Sequence, residues 1–363
     1  MQSDGSIPVG ADHIFRAGIL LQSEHSTEAT TSTTLYSAND LPYSFYQSSG
    51  KTGWIYGVYA QDEWHLRPNL VLNAGARFDG VSAYTDQTQI DPRVNLVYTM
   101  NPATTWHAGY ARLLTPPPFE LIGAASLAGF AGSVVAPQVT KDDAPRAESA
   151  NYFDIGVNRT LLPGLSAGID GYYKIAHDLI DEGQFGAPII LTPFNYREGY
   201  ARGIEFTGSY DHGPWSAYGN LALSRAMGKD IVSSQFNFDP AELSYIQDHW
   251  IHLDHDQTIT ASLGAARSFA IAATNLRLSS DFTFASGLRA EAPDGVPNGI
   301  ALPSNWALNI SAVEAVTPAT ELRLSVVNLT DNIYEIRNGT GVGVGAPQYG
   351  QRRTILAGIS QKF

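Results

Sequence analysis

Apolar and polar residues alternate with a period of two along most of this chain. Leu70, Leu72, Ala74, Ala76 and Phe78 face one way, against Asn73, Gly75, Arg77 and Asp79. Ile204, Phe206 and Tyr210 oppose Glu205, Thr207 and Ser209, and Leu322, Leu324 and Val326 oppose Arg323 and Ser325. This period belongs to β-strands whose two faces meet different surroundings. Short turn signals separate the runs: Arg67-Pro-Asn69, Asn101-Pro-Ala103, Leu162-Pro-Gly164, His212-Gly-Pro214 and Thr317-Pro-Ala-Thr320. Between them lie long polar connections, at 26–53, 115–146, 180–193, 229–254, 290–303 and 337–347. The pattern predicts about 14 strands, near 12–25, 54–66, 70–84, 91–100, 104–114, 147–161, 165–179, 194–211, 215–228, 255–268, 276–289, 304–317, 321–336 and 348–363.

Alternation alone fits a soluble sandwich with apolar faces inward, or a membrane barrel with apolar faces outward. The polar set includes Arg77, Asp79, Glu205, Arg277, Asp281 and Arg323, spread over many strands, which suits a wet lumen. Short turns on one side and long loops on the other are the asymmetry of outer-membrane barrels. The last strand places Ile355, Ala357, Ile359 and Phe363 on one face, with Gln361 as the polar break. A terminal aromatic ring suits the periplasmic interface. The expected fold is therefore all-β: an antiparallel transmembrane β-barrel with short periplasmic turns and long extracellular loops. No linker interrupts it, so 1–363 reads as a single partial-barrel domain.

Composition narrows the classes. Hydrophobic residues make up 44% of the chain, yet mean hydropathy is −0.12. No stretch approaches the ~20 apolar residues of a membrane helix. Half-apolar barrel strands escape such windows. Cys is 0, against a disulfide-rich domain or a thiolate metal centre. A net charge of −13 argues against nucleic-acid binding. The first ten residues carry neither a basic nor an apolar signal-peptide region, so the expectation is a processed chain, a fragment or a truncated frame.

Several segments resemble the C-terminal part of TonB-dependent outer-membrane receptors. Tyr56-Gly-Val-Tyr-Ala-Gln-Asp-Glu-Trp-His-Leu66, followed by Leu70 to Asp79, is similar to that family's "YxQDEW … L … L … G … RxD" hairpin. Asp91-Pro-Arg-Val94, Glu148 to Val157, Gly203-Ile-Glu205 and Asp254-His-Asp-Gln257 follow in the family's order. Val327 to Tyr334 and Gly350-Gln-Arg-Arg353 resemble its closing strands. The resemblance implies uptake of a scarce solute: a ferric siderophore, cobalamin or a saccharide. It implies no enzyme activity and no cofactor. It implies a monomer among outer-membrane lipids, inserted by the barrel assembly machinery with Phe363 as a recognition signal. Members carry a plug and a 22-stranded barrel, so this chain falls short by the plug and about eight strands. The TonB system becomes a partner only where a plug is supplied elsewhere. A plugless passive pore, a non-functional remnant and a soluble all-β adhesion domain are the alternatives.

Three motifs invite chemistry. His249, His252 and His255 stand beside Asp254 but lack the spacing and glutamate of a zinc helix, so no metal is assigned and a solvated rim loop is expected. Gly339-Thr-Gly-Val-Gly-Val-Gly345 lacks the Lys-Ser/Thr of a phosphate loop and reads as a mobile connection. No serine–histidine–acid set stands out, so no catalytic residue is assigned. Ligand contact is assigned to loop aromatics, namely Tyr43, Tyr46, Phe119, Tyr245 and Trp250, because rings on loops give contact area at low entropy cost.

Overall fold

A computed structural model describes residues 1–37, 39–119, 127–185, 190–271 and 274–362. In chain order the strands are β1 (Gln2–Val9), β2 (His13–Thr34), β3 (Tyr43–Arg67), β4 (Leu70–Ser82), β5 (Asp86–Asn101), β6 (Thr104–Thr115), β7 (Glu148–Leu162), β8 (Leu165–Phe185), β9 (Ile190–His212) and β10 (Trp215–Ile231). Helix α1 (Pro240–Asp248) precedes β11 (Ile251–His252), β12 (Ile259–Ile271), β13 (Thr274–Ala285), β14 (Arg289–Ala290), β15 (Ile300–Ala301) and β16 (Asn305–Ala315). The chain closes with β17 (Thr320–Val327), β18 (Glu335–Asn338), β19 (Pro347–Tyr349) and β20 (Thr354–Gln361). Among the described residues sixteen strands form one sheet in which β1 to β10, β12, β13, β16, β17 and β20 follow one another, with β11 attached to β10. Each strand pairs antiparallel with the next on that path, for example Leu223↔Ile204 and Leu324↔Ala312. β1 and β20 form the two edges, and among the described residues no ladder joins them.

Each of the fourteen expected strands has its counterpart, and β1 is additional. Its sequence, with Gly5, Pro8 and only Ile7 and Val9 as strong apolar residues, carries too little alternation to signal a strand. Its order comes from the ladder with β2, from Gln2↔Leu20 to Val9↔His13. Two expected loops are largely strand instead. β2 and β3 continue their register to Thr34↔Tyr43, and β8 and β9 theirs to Phe185↔Ile190. The β8–β9 extension is held by the buried Phe185, Phe194 and Tyr196, whereas the β2–β3 hairpin rises beyond the membrane, where both faces can be polar. Ladder bonds and residues such as Thr30, Thr31 and Thr33 hold it without an apolar stripe. The opposite error occurs at β17, which stops at Val327 because Asn328 and Asp331 take left-handed backbone, with φ of 48° and 54°.

The short turns behave as expected. Between β7 and β8, Pro163-Gly164 joins Leu162 to Leu165 directly. Gly164 has φ +81°, and a Cβ there would fall 2.3 Å from the Asp211 carbonyl oxygen, so only glycine fits.

Among the described residues the wall of the sheet has no core of its own. One face presents Phe78, Ile155, Ile204, Phe206, Leu263, Ile310 and Leu324, all exposed. The other carries ion pairs and hydrogen bonds such as Lys174 with Glu148 and His107 with Asp170. The true core sits in the connections at the far end from the short turns. Phe194, Tyr196, Ile231, Phe238, Ile246, Ile251 and Val342 form one buried cluster there. Phe130, Phe185 and Phe236 form another, with ring centroids 5.2 and 5.3 Å apart in edge-on contacts.

Candidate functional site

Four connections meet at the loop end of the sheet: the β8–β9 hairpin, the α1 segment, the stretch from β14 to β15, and the glycine-rich stretch after β18. Polar side chains tie them together at buried points. Asn195 is fully buried and saturated. Its amide donates to the carbonyls of Arg146 and Asp178, at 3.0 and 2.7 Å. Its oxygen accepts from the Arg146 N–H and the Ser233 hydroxyl, both at 2.8 Å. Asn298 donates to the His252 carbonyl at 2.7 Å and accepts the Val342 N–H at 2.9 Å. Buried backbone groups that cannot reach water are satisfied in this way.

The connections enclose a cavity of about 580 Å³, within the range of small-molecule sites. Asp239, Glu242 and Tyr245 come from α1 and its N-cap, Glu291 from the β14–β15 stretch, and Thr340 with the backbone of Gly341 to Gly345 from the glycine-rich stretch. Asp239 caps α1 by accepting the Glu242 N–H at 2.7 Å. Burial, and then the nearby Asp239 charge, push the Glu242 carboxyl up to about 7. The described lining includes three carboxylates and neither Lys nor Arg. Asn237 adds a buried side-chain oxygen with no hydrogen-bond partner.

The chain matches the model for TonB-dependent receptor-like β-barrels over residues 3–329. It belongs to this family. These barrels lie in the bacterial outer membrane, and the family is one of transporters, not enzymes. Solved structures agree on the fold. The ferric yersiniabactin uptake receptor of Yersinia pestis superposes with a TM-score of 0.70 at 13% identity, over 100% of this chain and 53% of that one. The ferripyoverdine receptor of Pseudomonas aeruginosa gives 0.66 at 13% identity, over 100% and 47%. The FrpB iron transporter of Neisseria meningitidis gives 0.65 at 13% identity, over 99% and 54%. The chain thus spans about half the length of the receptors it matches. No curated protein sequence matches it.

In this receptor barrel, of the five loop aromatics only Tyr245 lines the cavity. Tyr43 stacks on Tyr36 at 4.2 Å and donates to the Gly129 carbonyl. Tyr46 is exposed on the other side of β3. Phe119 is buried against Val81 and Ala147. Trp250 packs on Tyr200, with centroids 5.3 Å apart, outside the cavity. Phe363 lies outside the described residues. The polar wall positions are spread around the sheet: Arg77 bonds Asp79, Arg277 donates to Ser216, and Asp281 accepts from Tyr218. Arg323 pairs with Glu321, and Glu205 stands opposite Asp170.

The histidines separate. His249 bonds the Tyr245 carbonyl, His252 meets Asp256 and His255 meets Asp254. Asp181, Asp254 and His255 do converge within 4.8 Å. Arg337 sits among them, 3.4 Å from Asp254, so the group forms an ion-pair network. Burial and the Asp254 charge raise the Asp181 carboxyl to about 7.

The sequence missed the glycine-rich stretch as a wall of the cavity. Val342 and Val344 are buried and anchor it, whereas a mobile connection was expected. Gly343 has φ +72°, and a Cβ there would come within 2.8 Å of the Glu182 carbonyl oxygen. The available signal was the alternation of Gly with Val: valine is an anchor, and glycine permits close approach.

Proposed function

We propose that this chain is the barrel portion of a receptor that takes up a scarce solute, captured in the cavity bounded by Tyr245, Glu242, Glu291 and Thr340. The observation that carries this reading is a cavity of about 580 Å³ held by a buried core at the loop end of the barrel. Binding sites need rigid support of this kind. The wall positions Arg77, Asp79, Glu205, Arg277, Asp281 and Arg323 then face the route through the lumen. Energy coupling through TonB requires a plug.

The carboxylates of Asp239, Glu242 and Glu291 favour a ligand rich in hydroxyl or amine donors over a polyanion. A neutral or cationic ferric siderophore, cobalamin and a saccharide all meet that condition. The purified chain, folded in detergent, should bind one of three probes saturably: a ferric hydroxamate, cobalamin or an oligosaccharide. Tyr245→Ala and Glu291→Gln should each weaken that binding about tenfold, while Trp250→Ala should leave it unchanged. Binding of none of the probes, or equal binding by the cavity variants, would reject the cavity as the capture site.

A further inference from the structure

On the outer face of the sheet, Arg202 of β9 and Arg225 of β10 stand directly opposite each other in register. Both side chains are exposed. They share the face of Ile204, Phe206, Leu221 and Leu223, the row that meets lipid. Among the described residues neither takes an ion pair or a hydrogen bond. Arg202 only rests over the Tyr200 ring, at 5.4 Å. Like charges directly opposite across a strand pair repel. Four positions higher on each strand, Glu198 and Lys229 also face one another, but with opposite signs, so the two arginines remain an uncompensated pair.

Their height is informative. Trp215, at the short-turn end of β10, lies under the Arg267 guanidinium, with Phe269 beside it, as an interfacial girdle. Arg225 is ten residues farther along β10, and Arg202 ten residues before His212, the partner of Trp215. At about 3.4 Å per residue and the usual barrel tilt this is a rise of roughly 25 Å, the height of the apolar band. The pair is therefore level with the outer headgroups. A second girdle surrounds it: Tyr173, the register partner of Arg202, packs edge-on against Tyr200, and Tyr200 meets Trp250.

We propose that Arg202 and Arg225 bind the phosphate of a phosphorylated outer-leaflet lipid on the outer surface of the barrel. Two guanidinium forks on neighbouring strands match a tetrahedral oxyanion, and its charge removes their mutual repulsion. Ile204 and Leu223, one row closer to the bilayer centre, would meet the start of the acyl chains.

The test is native mass spectrometry of the detergent-folded full chain with equal amounts of phosphatidic acid and phosphatidylcholine. The native chain should retain phosphatidic acid about tenfold more. Arg202→Gln and Arg225→Gln should each reduce that preference, and Arg267→Gln, at the other interface, should preserve it. Heat-dependent gel mobility shows that each variant is folded, and the two single variants make the outcome independent of whether the double variant inserts. Equal retention of both lipids by the native chain overturns the proposal, as does an unchanged preference in both single variants. Loss of the preference in the presence of an equal amount of inorganic phosphate overturns it too, in favour of a free-anion site.

Discussion

Val342, on the glycine-rich stretch, donates its backbone N–H to the side chain of Asn298, 2.9 Å away on a different connection. Asn298 is fully buried, holds a left-handed backbone at φ 52°, and reaches His252 with its other end. One side chain thus clamps three connections around the cavity. Asn298→Ala leaves the His252 carbonyl and the Val342 N–H unsatisfied and strains the backbone. A loss of roughly 2–4 kcal/mol, confined to the cap, follows. Amide exchange should rise over 290–303 and 339–346 while the wall strands stay protected. Uniform exchange throughout would mean that the cap and the wall unfold together.

The outward row of the wall should tolerate no charge at mid-strand. Leu324 lies exposed between Ala312 and Ala357 in the ladder. Leu324→Arg should cost about 2–4 kcal/mol in a liposome folding assay. Arg323, its neighbour on the opposite face, should accept Gln at little cost. Unchanged folding of the leucine variant would contradict a lipid-facing row.

The connection 115–146 should control conductance. Phe119 packs against Val81, and Phe130 against Phe45 and Phe185, so its described parts fold onto the loop end of the sheet. Planar-bilayer recordings of the native chain should show little current, and deletion of 118–142 should open a steady conductance. Large conductance in the native chain would identify an unobstructed pore, the passive alternative.

Two carboxyls in the extracellular cap link its stability to pH. In the unfolded chain Asp181 and Glu242 lose their protons near 3.8 and 4.5, while in the cap burial holds both protons up to about 7. Across that window the folded cap binds more protons than the unfolded one, so their contribution falls as pH rises and levels off above about 7. The difference between the native chain and an Asp181→Asn/Glu242→Gln variant isolates these groups from His252. Amide exchange in α1, corrected for its intrinsic pH dependence, should show the native cap losing protection relative to the variant between pH 5 and 8. Parallel curves would exclude the linkage.

What the sequence determined by itself is the wall. Leu70 to Phe78 or Leu322 to Val326 announce a strand, and which residues share its apolar face, because alternation is a local property imposed at every second residue. Turns such as Leu162-Pro-Gly164 are equally local, since backbone sterics within four residues decide them. β1 was silent because its strand exists only through pairing with β2. The cap was silent for a related reason: Asn195, Asn298 and Val342 are ordinary residues whose role comes from partners tens of residues away. The cavity between Glu242, Glu291 and Thr340 exists only once those connections pack. Tyr245 and Phe119 looked alike as loop aromatics, and the tertiary structure separated them by burial, leaving one at the cavity wall and the other in a core. The two-residue connection Gly213-Pro214, another local feature, pairs His212 with Trp215 and so sets Arg202 opposite Arg225; that neither arginine meets an ion-pair or hydrogen-bond partner among the described residues was decided only by the tertiary structure, because such a partner would have to come from distant parts of the chain.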